Sequence, residues 1–228
     1  VGRTAANALT TGVRNTAIGM AALESLTSAD DCTACGYNAL NSATGQNNTA
    51  LGRSAGANVS TGTNNICLGK DSGITGSPGG NQTTGSNTIF LGDENIGEAN
   101  IQVDWTVASD TRDKTDVEPL KTGLDFINKL EPVTYRWDKR SKYSDDLSVT
   151  PDGKHKEDWL DTGFLAQDVE KLEEEYGYKI EDETNLTTTL SNDGDMYGLT
   201  YSKFIPSLVK AVQELSAEVE QLKSKIEE

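Results

Sequence analysis

The sequence predicts a mixed fold: repeat-built β-structure, followed by an α+β domain that ends in a long coiled-coil helix. Three observations lead to this prediction. Short apolar stretches that end in glycine recur through the first half of the chain. Charged and aromatic sequence with helix and strand patterns follows, and a heptad pattern fills the C-terminal end. We therefore divide the chain into residues 1–108 and 109–228, with the coiled coil at residues 201–228.

The first half is a series of repeats in which each unit closes on a glycine. The closing glycines are 17, 16, 17 and 23 residues apart. Asn precedes most of the strands, and both Gly and Asn tolerate the left-handed backbone of tight turns. Because a strand of four residues cannot bury its face alone, the units must stack on one another. The strand units are Thr16–Gly19, Thr33–Gly36, Thr49–Gly52, Ile66–Gly69 and Ile89–Gly92, and the asparagines are Asn15, Asn48, Asn65 and Asn87.

Two of the three cysteines, Cys32 and Cys35, have the spacing of half a zinc site or of a redox pair. A structural zinc site needs four ligands, and the chain has neither a second such pair nor more than one His. We therefore expect no metal and no cofactor. Cys35 occupies the repeat position of Ile18, Leu51 and Leu68, so the pattern predicts that it is a small core residue.

The chain is strongly acidic, and its charge is uneven. Its net charge is −16, and residues 1–108 carry 4 Lys+Arg and 8 Asp+Glu against 16 and 28 in residues 109–228. Such a surface repels nucleic acid and anionic membranes, so we expect neither as a partner. Hydrophobic residues make up only 35% of the chain, and the mean hydropathy is −0.53. This hydrophobic content is low for a single globular domain, and it indicates that further apolar surface is buried between chains.

Neither end of the chain carries a recognisable targeting signal. The sequence contains no apolar run long enough for membrane insertion and no signal peptide. Val1 opens in the middle of a repeat, so we expect the chain to be a fragment of a longer protein.

The C-terminal stretch has an unbroken heptad pattern with steps of four and three residues. Such a narrow apolar stripe is typical of a coiled coil. A single amphipathic helix packed on its own domain is the alternative. The stripe consists of Tyr201, Ile205, Leu208, Val212, Leu215, Val219, Leu222 and Ile226.

The region between the repeats and the coil has alternating helix and strand patterns. It also contains a polar insertion that holds His155, which we interpret as a solvated loop residue. In chain order the patterns are a helix at Val117–Leu130, a strand at Val133–Trp137, the insertion at Ser141–Trp159, a strand end at Gly163–Ala166 and a helix from Gln167.

The repeats resemble those of trimeric adhesin heads and of phage tail-fibre tips, over roughly residues 1–97. This resemblance implies either a β-roll or an interwound trimeric β-helix. The Leu, Val and Ile of the coil do not fix the number of strands, so the prediction of a homotrimer rests on the repeat half.

The second half resembles the C-terminal intramolecular chaperone of phage endosialidases, tail spikes, tail fibres and neck appendages. The resemblance lies in three motifs in order, Ser109–Lys114, Leu130–Trp137 and Gly163–Glu170, followed by the coil. It implies a module that trimerises the fibre, helps the preceding β-structure to fold and then releases itself by cutting the Ala108–Ser109 bond.

The same resemblance implies a self-cleaving serine peptidase that acts once, with Ser109 as nucleophile and Lys114 as base. Asp110 and Arg112 also match the motif, and they could shape the turn or pair with a neighbouring chain. Lys114 can take the serine proton only as a neutral amine, which burial or a nearby cation favours. We therefore expect the site to become active when the trimer packs around it. The sequence leaves open whether Ser109 attacks its own chain or a neighbour.

The resemblance also implies what the protein binds and where it is located. A fibre part of this kind binds a bacterial surface receptor, either a glycan or a protein. The assembly would fold in the host cytoplasm and end in the virion, with the chaperone part released after cleavage. The alternative is a purely structural trimeric adhesin, with head repeats on a coiled-coil stalk and no proteolysis. Membrane-bound transcription factors of the myelin regulatory type share the module, but the repeats and the acidic charge argue against them.

Overall fold

The computed structural model describes residues 1–144 and 147–227. Asp145 and Asp146 of the predicted insertion and Glu228 of the predicted coil lie outside the described residues. The chain divides into two compact units. Unit 1 comprises Val1–Gly97, Arg136–Asp161 and Leu190–Gly198, and unit 2 comprises Glu98–Tyr135, Thr162–Thr189 and Leu199–Glu228.

The repeats form a β-solenoid whose five short strands stack in parallel and in register. Each strand pairs with the same position of the next, as in Ala17 with Ala34 and Ala34 with Ala50. The closing glycines lie at positive φ, and a Cβ on Gly36 would overlap the backbone of Gly52 in the next repeat. Glycine is therefore required at this close approach. The strands are β1 (Thr16–Ile18), β2 (Thr33–Cys35), β3 (Thr49–Leu51), β4 (Ile66–Leu68) and β5 (Ile89–Leu91).

The middle residue of each strand points into the solenoid, and the two flanking residues point outward. Ala34, Ala50, Cys67 and Phe90 form this inner column and are buried. The prediction that Cys35 is a core residue is therefore wrong for the single chain, although its repeat position is correct. It belongs to an outer column and is only half-buried. Small residues fill the inner column in the first four strands, and Phe90 fills it in the last.

A ladder of buried amides joins the turns that precede the strands. Asn48 donates to the carbonyls of Gly45 and Gly62 at 2.9 and 2.8 Å, and its Oδ1 accepts from the backbone N–H of Asn65 at 3.0 Å. Cys32 occupies the equivalent position in the second repeat, and Thr88 occupies it in the last. Asn87, which the sequence analysis grouped with Asn15, Asn48 and Asn65, lies one position earlier at positive φ.

Unit 2 contains three helices and most of the remaining strands, with boundaries that differ from the predicted ones. The helix predicted from Val117 begins only at Leu124, where the non-helical Gly123 is its N-cap, and Glu118 before Pro119 is disfavoured in helical backbone. The strand predicted to reach Trp137 ends at Tyr135. β6 pairs with β7 and β8 with β9. The elements are α1 (Leu124–Lys129), β6 (Val133–Tyr135), β7 (Asp161–Gly163), α2 (Ala166–Glu175), β8 (Thr188–Leu190), β9 (Tyr197–Leu199) and α3 (Phe204–Glu227).

The core of unit 2 lies between its three helices. Phe126, Val169, Leu172 and Phe204 are buried against one another. The carboxylate of Glu173 is also buried, and it accepts hydrogen bonds from the backbone and the hydroxyls of the neighbouring 187–188 segment. A buried charge is tolerated when it is hydrogen-bonded in this way.

Helix α3 has two apolar faces, and only one of them packs on its own unit. Phe204, Ser207 and Ala211 are buried, and Ser207 Oγ lies 2.7 Å from the hydroxyl of Thr122. Every residue of the heptad stripe is at least 40% exposed. The intramolecular face is therefore a different face from the predicted seam.

Among the described residues, no helix has the length and apolarity required to cross a membrane.

Candidate functional site

Ser109 and Lys114 are brought together by a single tight turn. Thr111–Asp113 form a 3-10 turn between them, and Lys114 Nζ lies 2.7 Å from Ser109 Oγ. The turn reverses the chain, so residues five positions apart place their side chains side by side. The lysine is thus within the distance at which a base can take a proton from a serine hydroxyl. Both side chains are exposed in the single chain.

Asp110 and Arg112 shape the turn that holds this pair. The Asp110 carboxylate accepts from the backbone N–H of Arg112 at 2.9 Å, which makes it the cap of the turn. The guanidinium of Arg112 also donates to Asp110 at 2.6 Å. This hydrogen-bonded pairing lowers the pKa of Asp110, so its carboxylate stays charged. The negative charge of Asp110 is consequently balanced inside the turn.

The segment that leads into Ala108 carries exposed apolar residues at alternate positions. Ile101, Val103, Trp105 and Val107 alternate with polar residues, and each is more than half exposed. Alternation with a period of two is the pattern of a strand with one buried face, yet these residues form no strand in the single chain. The sequence analysis missed this feature, although the alternation itself was a readable signal.

The other sequence-predicted candidates are not part of this contact. His155 is exposed and packs its ring edge-to-face on Tyr143, with centroids 4.6 Å apart. Cys32 and Cys67 are buried free thiols, and Cys35 is a half-buried one. Across the described stretches of the chain, no three His, Cys, Asp or Glu side chains are grouped as metal ligands.

The Gly163–Glu170 motif spans the end of β7 and the first turns of α2. Phe164, Leu165, Asp168 and Val169 line an open groove of about 410 Å³ beside Leu130. Phe164 also packs on Phe204 of the helical core, with ring centroids 5.3 Å apart. The motif therefore organises the core of unit 2, and neither Ser109 nor Lys114 lines the groove.

Comparison with protein families finds a match within the second half of the chain. Residues 109–178 match the model of the family described as chaperone of endosialidase. The match begins at Ser109, the first residue of the turn described above. A comparison with curated proteins finds no match to the chain.

The family fits the expectations drawn from the three motifs. It implies a self-cleaving, peptidase-type domain, and its association with phages indicates a virion-associated protein with a chaperone role. The solenoid of unit 1 is the kind of β-structure expected ahead of such a domain. The chain therefore carries an endosialidase-type chaperone domain in a phage fibre-like protein.

Proposed function

We propose that the chain is the tip of a trimeric phage tail fibre or appendage whose chaperone domain assembles the fibre and then cuts the Ala108–Ser109 bond. The observation that carries this proposal is the 2.7 Å contact between Lys114 Nζ and Ser109 Oγ. It places a potential base on the hydroxyl next to the bond that the family resemblance assigns for cleavage.

The chemistry follows from this contact. Lys114, as a neutral amine, takes the proton of Ser109, and the Oγ attacks the carbonyl carbon of Ala108. The C–N bond breaks as the amide nitrogen of Ser109 gains a proton, which leaves an ester between Ala108 and Oγ. Water then hydrolyses the ester to a carboxylate at Ala108 and restores the hydroxyl. Attack on the same bond of a neighbouring chain leads directly to an intermolecular ester, with the same overall balance.

The exposure of the site in a single chain supports control by assembly. A lysine in water holds its proton at neutral pH, whereas a desolvated lysine loses it more readily. The exposed apolar residues Ile101, Val103, Trp105 and Val107 lie directly before the bond. Their burial against other copies would remove water from the site and favour the neutral amine. Cleavage would then follow assembly, so that only assembled chains are cut.

Two exposed apolar arrays support a homotrimer. One is the heptad stripe of α3, and the other is the outward face of the solenoid strands, where Ile18, Leu51, Ile89 and Leu91 are each about half exposed or more. Burial of one such side chain contributes about 1.5–3 kcal/mol. The arrays lie in different units, so both halves of the chain would contribute to the trimer.

The chaperone role has a physical reason. Stacked parallel strands depend on contacts between residues distant in sequence, so they form slowly and expose edges that aggregate. A coiled coil forms from local contacts and raises the effective concentration of the three chains. The fibre part would fold in the host cytoplasm, enter the virion and bind a glycan or protein receptor on the bacterial surface.

The rival function is a non-cleaving trimeric adhesin, in which the Ser109–Lys114 turn is only a polar neck. A time course distinguishes the two functions: the folded protein is incubated, and the chain length of each sample is then measured under denaturing conditions. We expect wild type to split, and Ser109→Ala, Lys114→Ala and Lys114→Arg to stay whole. Arg keeps the charge but cannot act as a base, and Lys156→Ala is the control for loss of an exposed lysine. Splitting of Lys114→Arg at the wild-type rate would exclude Lys114 as the base.

A further inference from the structure

The last turn of the solenoid is covered by residues from the far side of the Ala108–Ser109 bond. Leu190–Gly198, the hairpin loop between β8 and β9, belongs to unit 1 together with the solenoid. Asp193 accepts from the backbone N–H of Asn81 at 2.7 Å. Asn192 Nδ2 donates to the buried Gln82 at 2.9 Å. We call these two side chains, Asn192 and Asp193, the cap.

The cap takes the place of a further solenoid turn. Gly45, Gly62 and Gly85 are equivalent positions in successive turns. A Cβ on Gly45 would overlap the carbonyl of Gly62, and a Cβ on Gly62 would overlap the carbonyl of Gly85. At Gly85 the overlapping atom is the side-chain amide of Asn192. Asn192 therefore occupies the space that the next turn fills elsewhere.

The amide ladder continues into the cap. Gln82 Nε2 donates to Asn65 Oδ1 at 3.1 Å, and Gln82 Oε1 accepts from Asn192. Gln82 thereby links the last ladder asparagine to the hairpin. The open end of a β-stack exposes unpaired groups and aggregates unless it is covered. The hairpin satisfies two of the polar groups at this end, the Asn81 N–H and Gln82 Oε1, and shields the turn beneath it.

A second attachment lies in Arg136–Asp161, the other segment of the C-terminal half that belongs to unit 1. Lys139 Nζ donates to the carbonyl of Glu94 at 2.6 Å, and Lys142 binds the side chain of Asn95. Gly76 leaves room for Ser141, whose Cβ lies 2.7 Å from the position of a Cβ on that glycine. Two separate segments thus hold the end of the solenoid.

We propose that cutting Ala108–Ser109 does not free the chaperone, and that the two products stay bound through the cap until a separate opening step. This inference rests on the proposed function for the existence of the cut. Unit 1 is built from residues on both sides of the bond, so the cut leaves its hydrogen bonds and packing in place. The partner of the solenoid end is the hairpin of the cleaved chaperone, and release is a dissociation event with its own rate.

The test uses a cut that does not depend on Ser109. In a full-length Ser109→Ala chain, a recognition site for a sequence-specific protease is inserted after Ala108, in the exposed segment. The chain is cut, and the products are followed by size-exclusion chromatography and native mass spectrometry in non-denaturing buffer. We expect the two products to migrate together. Immediate separation would overturn the proposal, whether or not wild type cleaves itself.

The cap itself is tested with variants of the same chain. Asn192→Ala combined with Asp193→Ala removes both hydrogen bonds, and we expect the cut products to separate at least about tenfold faster. Asp182→Ala removes an exposed carboxylate elsewhere and should release at the parent rate. Circular dichroism before cutting checks the fold, and Asp193→Asn, which keeps the side-chain shape, provides a milder variant. Retention of every variant at the parent rate would exclude the cap as the holding contact.

Discussion

The amide ladder of the solenoid has one irregular position, and repairing it should stabilise the protein. Cys32 lies where Asn15, Asn48 and Asn65 lie in other turns. Its thiol contacts the carbonyls of Gly45 and Asp30 at 3.3 and 3.6 Å, and a thiol is a weak donor. We predict that Cys32→Asn raises the free energy of unfolding.

The magnitude follows from the bonds that the equivalent asparagines make. Asn48 Nδ2 donates to two carbonyls at 2.8–2.9 Å, and its oxygen accepts one backbone N–H. A net contribution of about 1 kcal/mol per good hydrogen bond, less the cost of ordering the larger side chain, gives about 1–2 kcal/mol. For a chain of this size the melting temperature should rise by about 2–4 °C per kcal/mol.

Urea unfolding monitored by circular dichroism measures the effect, with Cys67→Asn as the matched control. Cys67 is buried in the inner column between Ala50 and Phe90. An amide there has no ladder partner, so this control should lose about 1–3 kcal/mol. If Cys32→Asn destabilised the chain as much as Cys67→Asn, the ladder would not be the reason that asparagine recurs at this position.

Two further predictions concern the inner column and the helix α3. Burial raises the pKa of the Cys67 thiol to about 12, so its folded pKa lies above the unfolded one. The stability that the buried thiol contributes is fully present below pH 8.5 and is lost at about 1.4 kcal/mol per pH unit as the pH rises towards 12. Urea unfolding between pH 8 and 10 measures how the free energy of unfolding falls with pH, and Cys67→Ala should remove the part of this fall that the thiol causes. An unchanged pH dependence in Cys67→Ala would show that the thiol is not its source. In α3, Val212→Glu with Leu215→Glu should reduce the proposed trimer to a monomer in light scattering and leave the helical signal intact, because both side chains are about half exposed or more in the single chain. Gln221→Glu lies off the stripe and should stay trimeric, and equal loss in both variants would contradict the seam.

Strictly periodic features could be read from the sequence. The five strands and their closing glycines were predictable because each turn repeats the same backbone, and the α3 stripe because heptads repeat. The Ser109–Lys114 pair came from the family resemblance, and the contact itself forms within a local turn. All three depend on residues close in sequence or on a fixed spacing.

Features that depend on packing were not predictable. Both the middle and the third positions of the strands are apolar, so the pattern alone did not reveal that the middle residue faces inward and leaves Cys35 outside. The contact between Asn192 and Gln82 spans 110 positions and has no local signal. The helix predicted from Val117 was too long, because the apolar spacing alone did not show that the backbone up to Gly123 is not helical.

The central claim is that this chain cuts itself between Ala108 and Ser109. Intact mass of freshly purified wild type under denaturing conditions tests it most directly, because denaturation separates the products even if the cap holds them. We expect two fragments, one ending at Ala108 and one beginning with Ser109, and a single whole mass for Ser109→Ala. A wild-type chain that stays whole as a folded trimer over days would contradict the account and leave a fibre tip on a permanent trimerisation domain.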